Sequence, residues 1–232
     1  MDISHNFVEK GKGETIILLH GNGEDNSYFS GQIDEFAKDY HVYAIDTRGH
    51  GKTPRGDKPF TIRQFADDLL DFMDEHKIEK SHILGFSDGA NIAMVFAMEH
   101  PERVDKLILN GGNLDARGVR RRTQIPIEIG YRIAKAFAGK SEDAKHNAEM
   151  LGLMVNDPNI WPEELSKITA QTLVIAGTKD MIRKGHTILI ASHIVGSELV
   201  FIKGNHFIAN KKAKKFNRIV LEFLMKREVS IN

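Results

Sequence analysis

Short runs of β-branched and apolar residues recur along this chain without polar residues alternating between them. Thr15-Ile16-Ile17-Leu18-Leu19 is the clearest; His41–Ile45, Ser81–Phe86, 104–109 and 171–176 share the pattern. A strand that is apolar on both faces must be covered on both faces, which points to a parallel sheet flanked by helices. The stretches between these runs supply the helices. Phe65, Leu69, Phe72 and Met73 make one stripe of a helix over 62–76, with Thr61 as its candidate N-cap. Asp88–Glu99 leaves the Ser81–Phe86 run directly and stops at Pro101. Helices are also expected over 28–38, 183–194 and 210–226, and short strands at 5–9 and 198–202. Ala213, Phe216, Val220, Phe223 and Leu224 are the inward face of the last helix. This alternation builds a doubly wound, mostly parallel α/β sheet with right-handed crossovers, whose ligands bind at the carboxyl ends of the strands.

One stretch breaks the rhythm. Residues 113–168 hold no clear strand and are too many for a plain loop. Ile127, Ile133, Ala134 and Phe137 mark one helix and residues 144–154 another; Trp161, the only tryptophan, precedes Pro162. The expected organisation is a core of residues 1–112 and 169–232 with a small helical cap, 113–168, inserted over the strand ends. Arg120-Arg121-Arg122 and the lysines at 211, 212, 214 and 215 read as solvated faces.

Totals narrow the field. A chain of 232 residues suits one α/β domain with such an insertion. Thirty-two basic residues balance 32 acidic ones, so no global field favours nucleic acid or an anionic membrane. Without cysteine, disulfides, thiol catalysis and Cys-ligated zinc are excluded. The first residues lack a basic stretch followed by an apolar one, and no apolar run would span a bilayer. A soluble cytoplasmic protein is the expectation.

The sharpest motif sits where the Ser81–Phe86 run meets its helix, at Gly85-Phe86-Ser87-Asp88-Gly89. A serine on so tight a strand-to-helix turn is strained, and its neighbours two residues away need to lack a Cβ. The turn lifts the hydroxyl above the sheet edge, with a helix N-terminus beneath it to receive negative charge. A serine nucleophile needs a base, and the base needs an acid to orient it. Asp180 and His206 each follow a later strand by a few residues, at the same sheet end as Ser87. Asp115 is the rival acid. Asp46, in Asp46-Thr47-Arg48-Gly49-His50-Gly51, reads as a turn pinned by its own side chain and that of Arg48. Acyl transfer also needs two N–H donors for the oxyanion. The N–H of Asp88 is one, and the glycine-flanked Asn22 of His20-Gly21-Asn22-Gly23 is the other.

Taken together, His20-Gly21-Asn22, Asp46-x-Arg48-Gly49-His50-Gly51, Gly85-x-Ser87-x-Gly89, Gly177-x-x-Asp180 and Gly204-x-His206 resemble the α/β-hydrolase superfamily in its capped esterase and lipase-like branch. The resemblance runs through the chain apart from residues 113–168. It implies the α/β-hydrolase fold, a sheet of about eight strands with a lid after the sixth, and a Ser87–Asp180–His206 triad without metal or cofactor. Only one strand is evident before Thr15–Leu19, so the sheet is expected to hold seven to eight.

The activity this implies is carboxylic ester hydrolysis of a small substrate through an acyl-enzyme. Other chemistries of the fold are C–C bond hydrolysis, amidase or aminopeptidase activity and perhydrolysis. Haloalkane dehalogenases and epoxide hydrolases of this fold use an aspartate nucleophile, which Ser87 argues against, although His-Gly-Asn resembles the dehalogenase oxyanion loop. A non-catalytic receptor on the same fold is the reading from another class. Met150, Leu153, Met154 and Trp161 are candidate walls for the substrate, unless they simply pack the cap onto the core. Asp88 has two readings: a carboxylate turned away to cap the elbow helix, or one lining the pocket and favouring a substrate amine. The expected partner is a small ester, with no nucleic acid and no membrane; the oligomeric state stays open.

Overall fold

The structure is a computed structural model that describes residues 2–226. Seven strands form one sheet: β1 (Phe7–Gly11), β2 (Thr15–Leu19), β3 (His41–Ile45), β4 (Ser81–Phe86), β5 (Val104–Asn110), β6 (Gln171–Gly177) and β7 (Glu198–Ile202). Their order is β1-β3-β2-β4-β5-β6-β7, and only β1 runs antiparallel to its neighbour. The helices are α1 (Ser30–Phe36), α2 (Ile62–Glu75), α3 (Asp88–Glu99), α4 (Arg121–Phe137), α5 (Glu142–Asn156), α6 (Lys184–His193), α7 (Ile208–Lys211) and α8 (Ala213–Leu224).

The two-faced strands do what their composition requires. Ile17 and Leu19 of β2 face a layer built by α2, α3 and α6, while Ile16 and Leu18 face the layer of α1 and α8. All four are essentially inaccessible. At about 1.5–3 kcal/mol per fully buried large aliphatic or aromatic side chain, such strands outweigh the ordering of their own backbone. Helix α3 is apolar on nearly every side and accordingly sits inside, with Gly89 through Met98 all buried. Thr61 caps α2 as expected, its side chain accepting from Gln64 N–H.

Several boundaries move. The first strand begins at Phe7, two residues later than the apolar pattern indicates. The segment before α1 is a 3₁₀ turn capped by Asp25, which accepts from Ser27 N–H. The last helix is two helices broken at Lys212. A continuous helix would give the Ala209 carbonyl to the N–H of residue 213; instead it accepts from Gln32 Nε2 at 2.8 Å, and the same amide donates to Asn217 Oδ1.

The Asp46–Gly51 turn is pinned as its residues imply. Asp46 accepts from Asn26 N–H and Lys52 N–H and from the Asn6 side chain. Arg48, fully buried, is clamped between the carboxylates of Asp2 and Asp68. Truncating Arg48 would strand the buried Asp68 carboxylate, at a cost of about 3–5 kcal/mol.

Between β5 and β6 the chain forms an α4–α5 hairpin. The helices exist where the pattern placed them, but Ile133 and Phe137, taken as pattern-forming residues of α4, are 56% and 46% exposed. The segment leading into α4 zips onto the loop after β6. Val119 bridges Ile182, Arg120 N–H donates to the Met181 carbonyl, and Arg183 N–H to the Gly118 carbonyl. Among the described residues no helix is long and apolar enough to cross a membrane.

Candidate active site

The turn between β4 and α3 is built by backbone crowding. A Cβ on Gly85 would lie 2.2 Å from the Gly89 carbonyl oxygen, and one on Gly89 would lie 2.0 Å from that of Leu19. No side chain can yield there, because the obstacles are backbone. Ser87 itself takes φ 52° and ψ −118°, a conformation that costs of order 1–3 kcal/mol and persists only where its surroundings over-determine it. Its N–H donates to the Asn110 carbonyl of β5, and its own carbonyl accepts from Ala90 and Asn91.

Two later loops converge on this serine. His206 Nε2 lies 3.0 Å from Ser87 Oγ, and His206 Nδ1 lies 2.7 Å from Asp180 Oδ1. An ionised carboxylate can only accept, so Nδ1 carries the proton and Nε2 presents its lone pair to the serine hydroxyl. The imidazole and the aspartate are both buried, and the ring packs against Phe86 at 4.8 Å between centroids. Room for it is left by Gly111, at φ 68°, where a Cβ would stand 2.8 Å from His206 Cε1. Asp180 is fixed by Ile182 N–H on Oδ1 and, more loosely, Gly177 N–H on Oδ2.

Asp180 is also held from outside. Arg120 Nε donates to its carbonyl oxygen at 2.7 Å. The solvated face that the sequence leads one to expect of this arginine run is found at Arg121 and Arg122, which are exposed, but not at Arg120, which ties the α4 segment to the Asp180 loop. The rival acid Asp115 is not near the imidazole: it caps a 3₁₀ turn and pairs with Arg117 at 2.8 Å.

The loop after β2 faces Ser87 from the other side. Gly21 packs so closely that a Cβ would be 3.1 Å from both the Phe86 ring and Ser87 Cβ. His20, buried and kept neutral by desolvation, donates from Nδ1 to the Gly21 carbonyl and accepts Thr47 N–H at Nε2, which fixes the loop to the end of β3. The backbone N–H groups of Asn22 and Asp88 have no acceptor among the described residues. They are left available for a ligand oxygen.

The Asp88 carboxylate does not cap its helix. Oδ2 accepts from Asn22 Nδ2 at 3.0 Å and Oδ1 from Asn91 Nδ2 at 3.2 Å. The Asn22 amide also donates to the Met150 carbonyl of α5, so one side chain joins the β2 loop, the elbow and the α4–α5 hairpin. Burial pushes the Asp88 carboxyl up to about 6, with Asp157 adding to the effect. Glu24, in the same loop, is pushed by burial to about 7 while accepting from Gly21 N–H at 3.3 Å.

Among the proposed walls, Met150 and Met154 are partly exposed on α5, and the methyl of Met150 lies 4.0 Å from where a Cβ on Gly23 would stand. Leu153 is a correction: it is 2% exposed and belongs to the core beneath the hairpin, so it holds α5 down. Trp161 is another. It is 70% exposed and lines a groove of about 1030 Å³ with Leu114, Arg183 and His186, a groove that includes neither Ser87 nor His206. Sequence reasoning missed Asn91, Arg120 and Glu24. Asn91 carried a signal, a lone amide in the apolar stretch of α3; the other two carried none.

The sequence model of one family, described as alpha/beta hydrolase fold, matches residues 14–128. The chain belongs to the α/β-hydrolase superfamily. Human serine hydrolase BPHL is 27% identical over 94% of this chain and 82% of its own. A 2-hydroxy-6-oxononadienedioate/2-hydroxy-6-oxononatrienedioate hydrolase of Escherichia coli strain K12 is 29% identical over 94% and 90%. The enol-lactonase from Burkholderia xenovorans LB400 superposes with a TM-score of 0.81, covering 96% of both chains at 22% identity. This α/β-hydrolase therefore carries the fold of its superfamily, on a sheet of seven strands among the described residues, within the seven to eight that its sequence leads one to expect.

Proposed function

We propose that this α/β-hydrolase is a serine hydrolase that cleaves small carboxylic esters through an acyl-enzyme. The observation that carries the reading is the unbroken hydrogen-bonded chain from Ser87 Oγ through His206 to Asp180. Ser87 attacks the ester carbonyl while His206 Nε2 takes its proton, and Asp180 stabilises the imidazolium. The oxyanion is received by the N–H groups of Asn22 and Asp88; one such donor is worth roughly 10²–10³ in rate. His206 then returns the proton to the leaving alcohol, and water repeats the sequence on the acyl-serine. No step calls for a metal or cofactor. Residues 113–168 act as the cap, with Met150 and Met154 on its substrate side.

A second reading is C–C bond hydrolysis, supported by the activity for which the E. coli relative is named. Its substrates are named as dioates. The Asp88 carboxyl, next to Ser87 and held by Asn22 and Asn91, is a poor setting for a dianion and a better one for a neutral or cationic ester. The test is direct. Turnover of p-nitrophenyl acetate and butyrate and fluorophosphonate labelling of Ser87 are expected, with a loss of roughly 10⁴–10⁶ in kcat on Ser87→Ala or His206→Ala. Labelling at Ser87 with turnover of a dienedioate and of no ester would favour the second reading. Absence of both labelling and turnover would leave only the receptor role.

A further inference from the structure

Helix α4 presents an unusual outer face. Ile125, Ile129, Ile133 and Phe137 recur every four residues and are 42–56% exposed. At 3.6 residues per turn they form one stripe along the whole helix. Of the buried residues of α4, Gln124 lies on the opposite side and Ala134 at the edge of the stripe near Phe137. Single exposed apolar residues are ordinary, but four aligned on one helix are not.

The charges on this helix are as segregated as its apolar groups. Arg121, Arg122, Arg132 and Lys135 stand against one acid, Glu128. The three arginines are exposed, lie beside the isoleucine stripe and form no ion pair among the described residues. The zero net charge of the chain conceals this local excess. We propose that the outer face of α4 docks on an anionic lipid surface. The isoleucines and Phe137 enter the boundary between headgroups and acyl chains, and the arginines pair with lipid phosphates while their methylene stems stay in the apolar layer.

Two other occupants fit less well. In a two-fold dimer this face would meet its own copy, setting arginine against arginine. An acidic peptide would satisfy the arginines, but it would need a groove for its own apolar side chains, and a convex helix offers none. The inference does not depend on which bond the enzyme cleaves.

Cosedimentation of the purified protein with vesicles tests it. Vesicles of equal parts phosphatidylglycerol and phosphatidylcholine are expected to retain the protein, and pure phosphatidylcholine vesicles to retain far less. Raising salt should release it. Ile129→Glu with Ile133→Glu should weaken binding at least about tenfold, and each of Arg121→Gln and Arg122→Gln roughly fivefold. These positions are exposed, so thermal unfolding of the variants should match the parent. No retention on anionic vesicles would overturn the proposal. So would retention insensitive to the isoleucine changes, which would indicate charge alone, as would loss of retention to equimolar polyglutamate with the isoleucines dispensable. A concentration-dependent dimer in sedimentation velocity, abolished by the isoleucine changes and without vesicle binding, would replace it with self-association.

Discussion

The Ser87 turn and the α4–α5 hairpin follow opposite rules. At the turn, backbone meets backbone: added Cβ atoms would come within 2.0–2.2 Å of carbonyl oxygens, and the strained serine is held from both neighbouring strands and its own helix. In the hairpin, α4 buries only Gln124 and Ala134 and α5 only Ala148, Gly152 and Leu153. The first region admits one geometry. The second is anchored by a few contacts and leaves its surface free to vary.

One glycine from each region breaks the comparison if it is wrong. Gly89→Ala sets a methyl against the Leu19 carbonyl and is expected to cost more than about 4 kcal/mol, or to prevent folding. Gly130→Ala on α4 meets nothing nearer than Leu151 Cδ1 at 3.8 Å, and should stabilise by about 0.5–1 kcal/mol. Urea unfolding reads both. A tolerated Gly89→Ala would mean that the turn is looser than its backbone contacts indicate.

The regions are coupled at Arg120, and its loss should have an intermediate effect. Arg120→Ala removes a charge-assisted hydrogen bond to the Asp180 carbonyl, worth about 1.5–3 kcal/mol. Asp180 keeps Ile182 N–H, so the imidazole should be misaligned rather than released: a several-fold fall in kcat with little change in KM. Arg121→Ala, one residue along and exposed, should fall within about 0.5 kcal/mol of the parent and leave kcat alone. Equal effects of the two would show that the tether to Asp180 carries nothing.

What the sequence revealed follows the same division. The strands, the elbow glycines and the converging Ser87, Asp180 and His206 were legible because each depends on local chemistry: apolar runs, residues without a Cβ, and polar groups just past strand ends. The 3₁₀ turn before α1 and the break at Lys212 were not, since the second comes from Gln32, a side chain 177 positions from the carbonyl it captures. The exposure of Ile133 and the placement of Trp161 and Leu153 were hidden for a related reason. Helical periodicity identifies a helix but not which side its neighbours occupy, and a hairpin with so little core leaves that choice to a few tertiary contacts.

Asp88 lies where the two regions meet, and its charge is the finest test of the comparison. Its carboxyl is raised to about 6 from an ordinary 3.8, chiefly by burial. In the folded state the proton is therefore bound more tightly than in the unfolded chain. Stability contributed by this group is present at low pH and declines as pH rises from about 4 to about 6. Asp88→Asn should flatten that part of a stability-versus-pH curve, with the variant gaining relative to the parent above pH 6. Catalysis should change in the other direction for one substrate class. Above pH 6 the carboxylate is charged and held by Asn22 and Asn91, facing the loop after β2 instead of its helix N-terminus. A substrate amine would complete its solvation, whereas a neutral ester offers it nothing. Asp88→Asn is thus expected to lower kcat/KM for amino-acid esters about tenfold, equivalent to about 1.4 kcal/mol, and to leave neutral esters within a factor of two or three. If both classes fell together, the carboxylate would be a strut between elbow and hairpin, and discrimination among substrates would have to come from the cap alone.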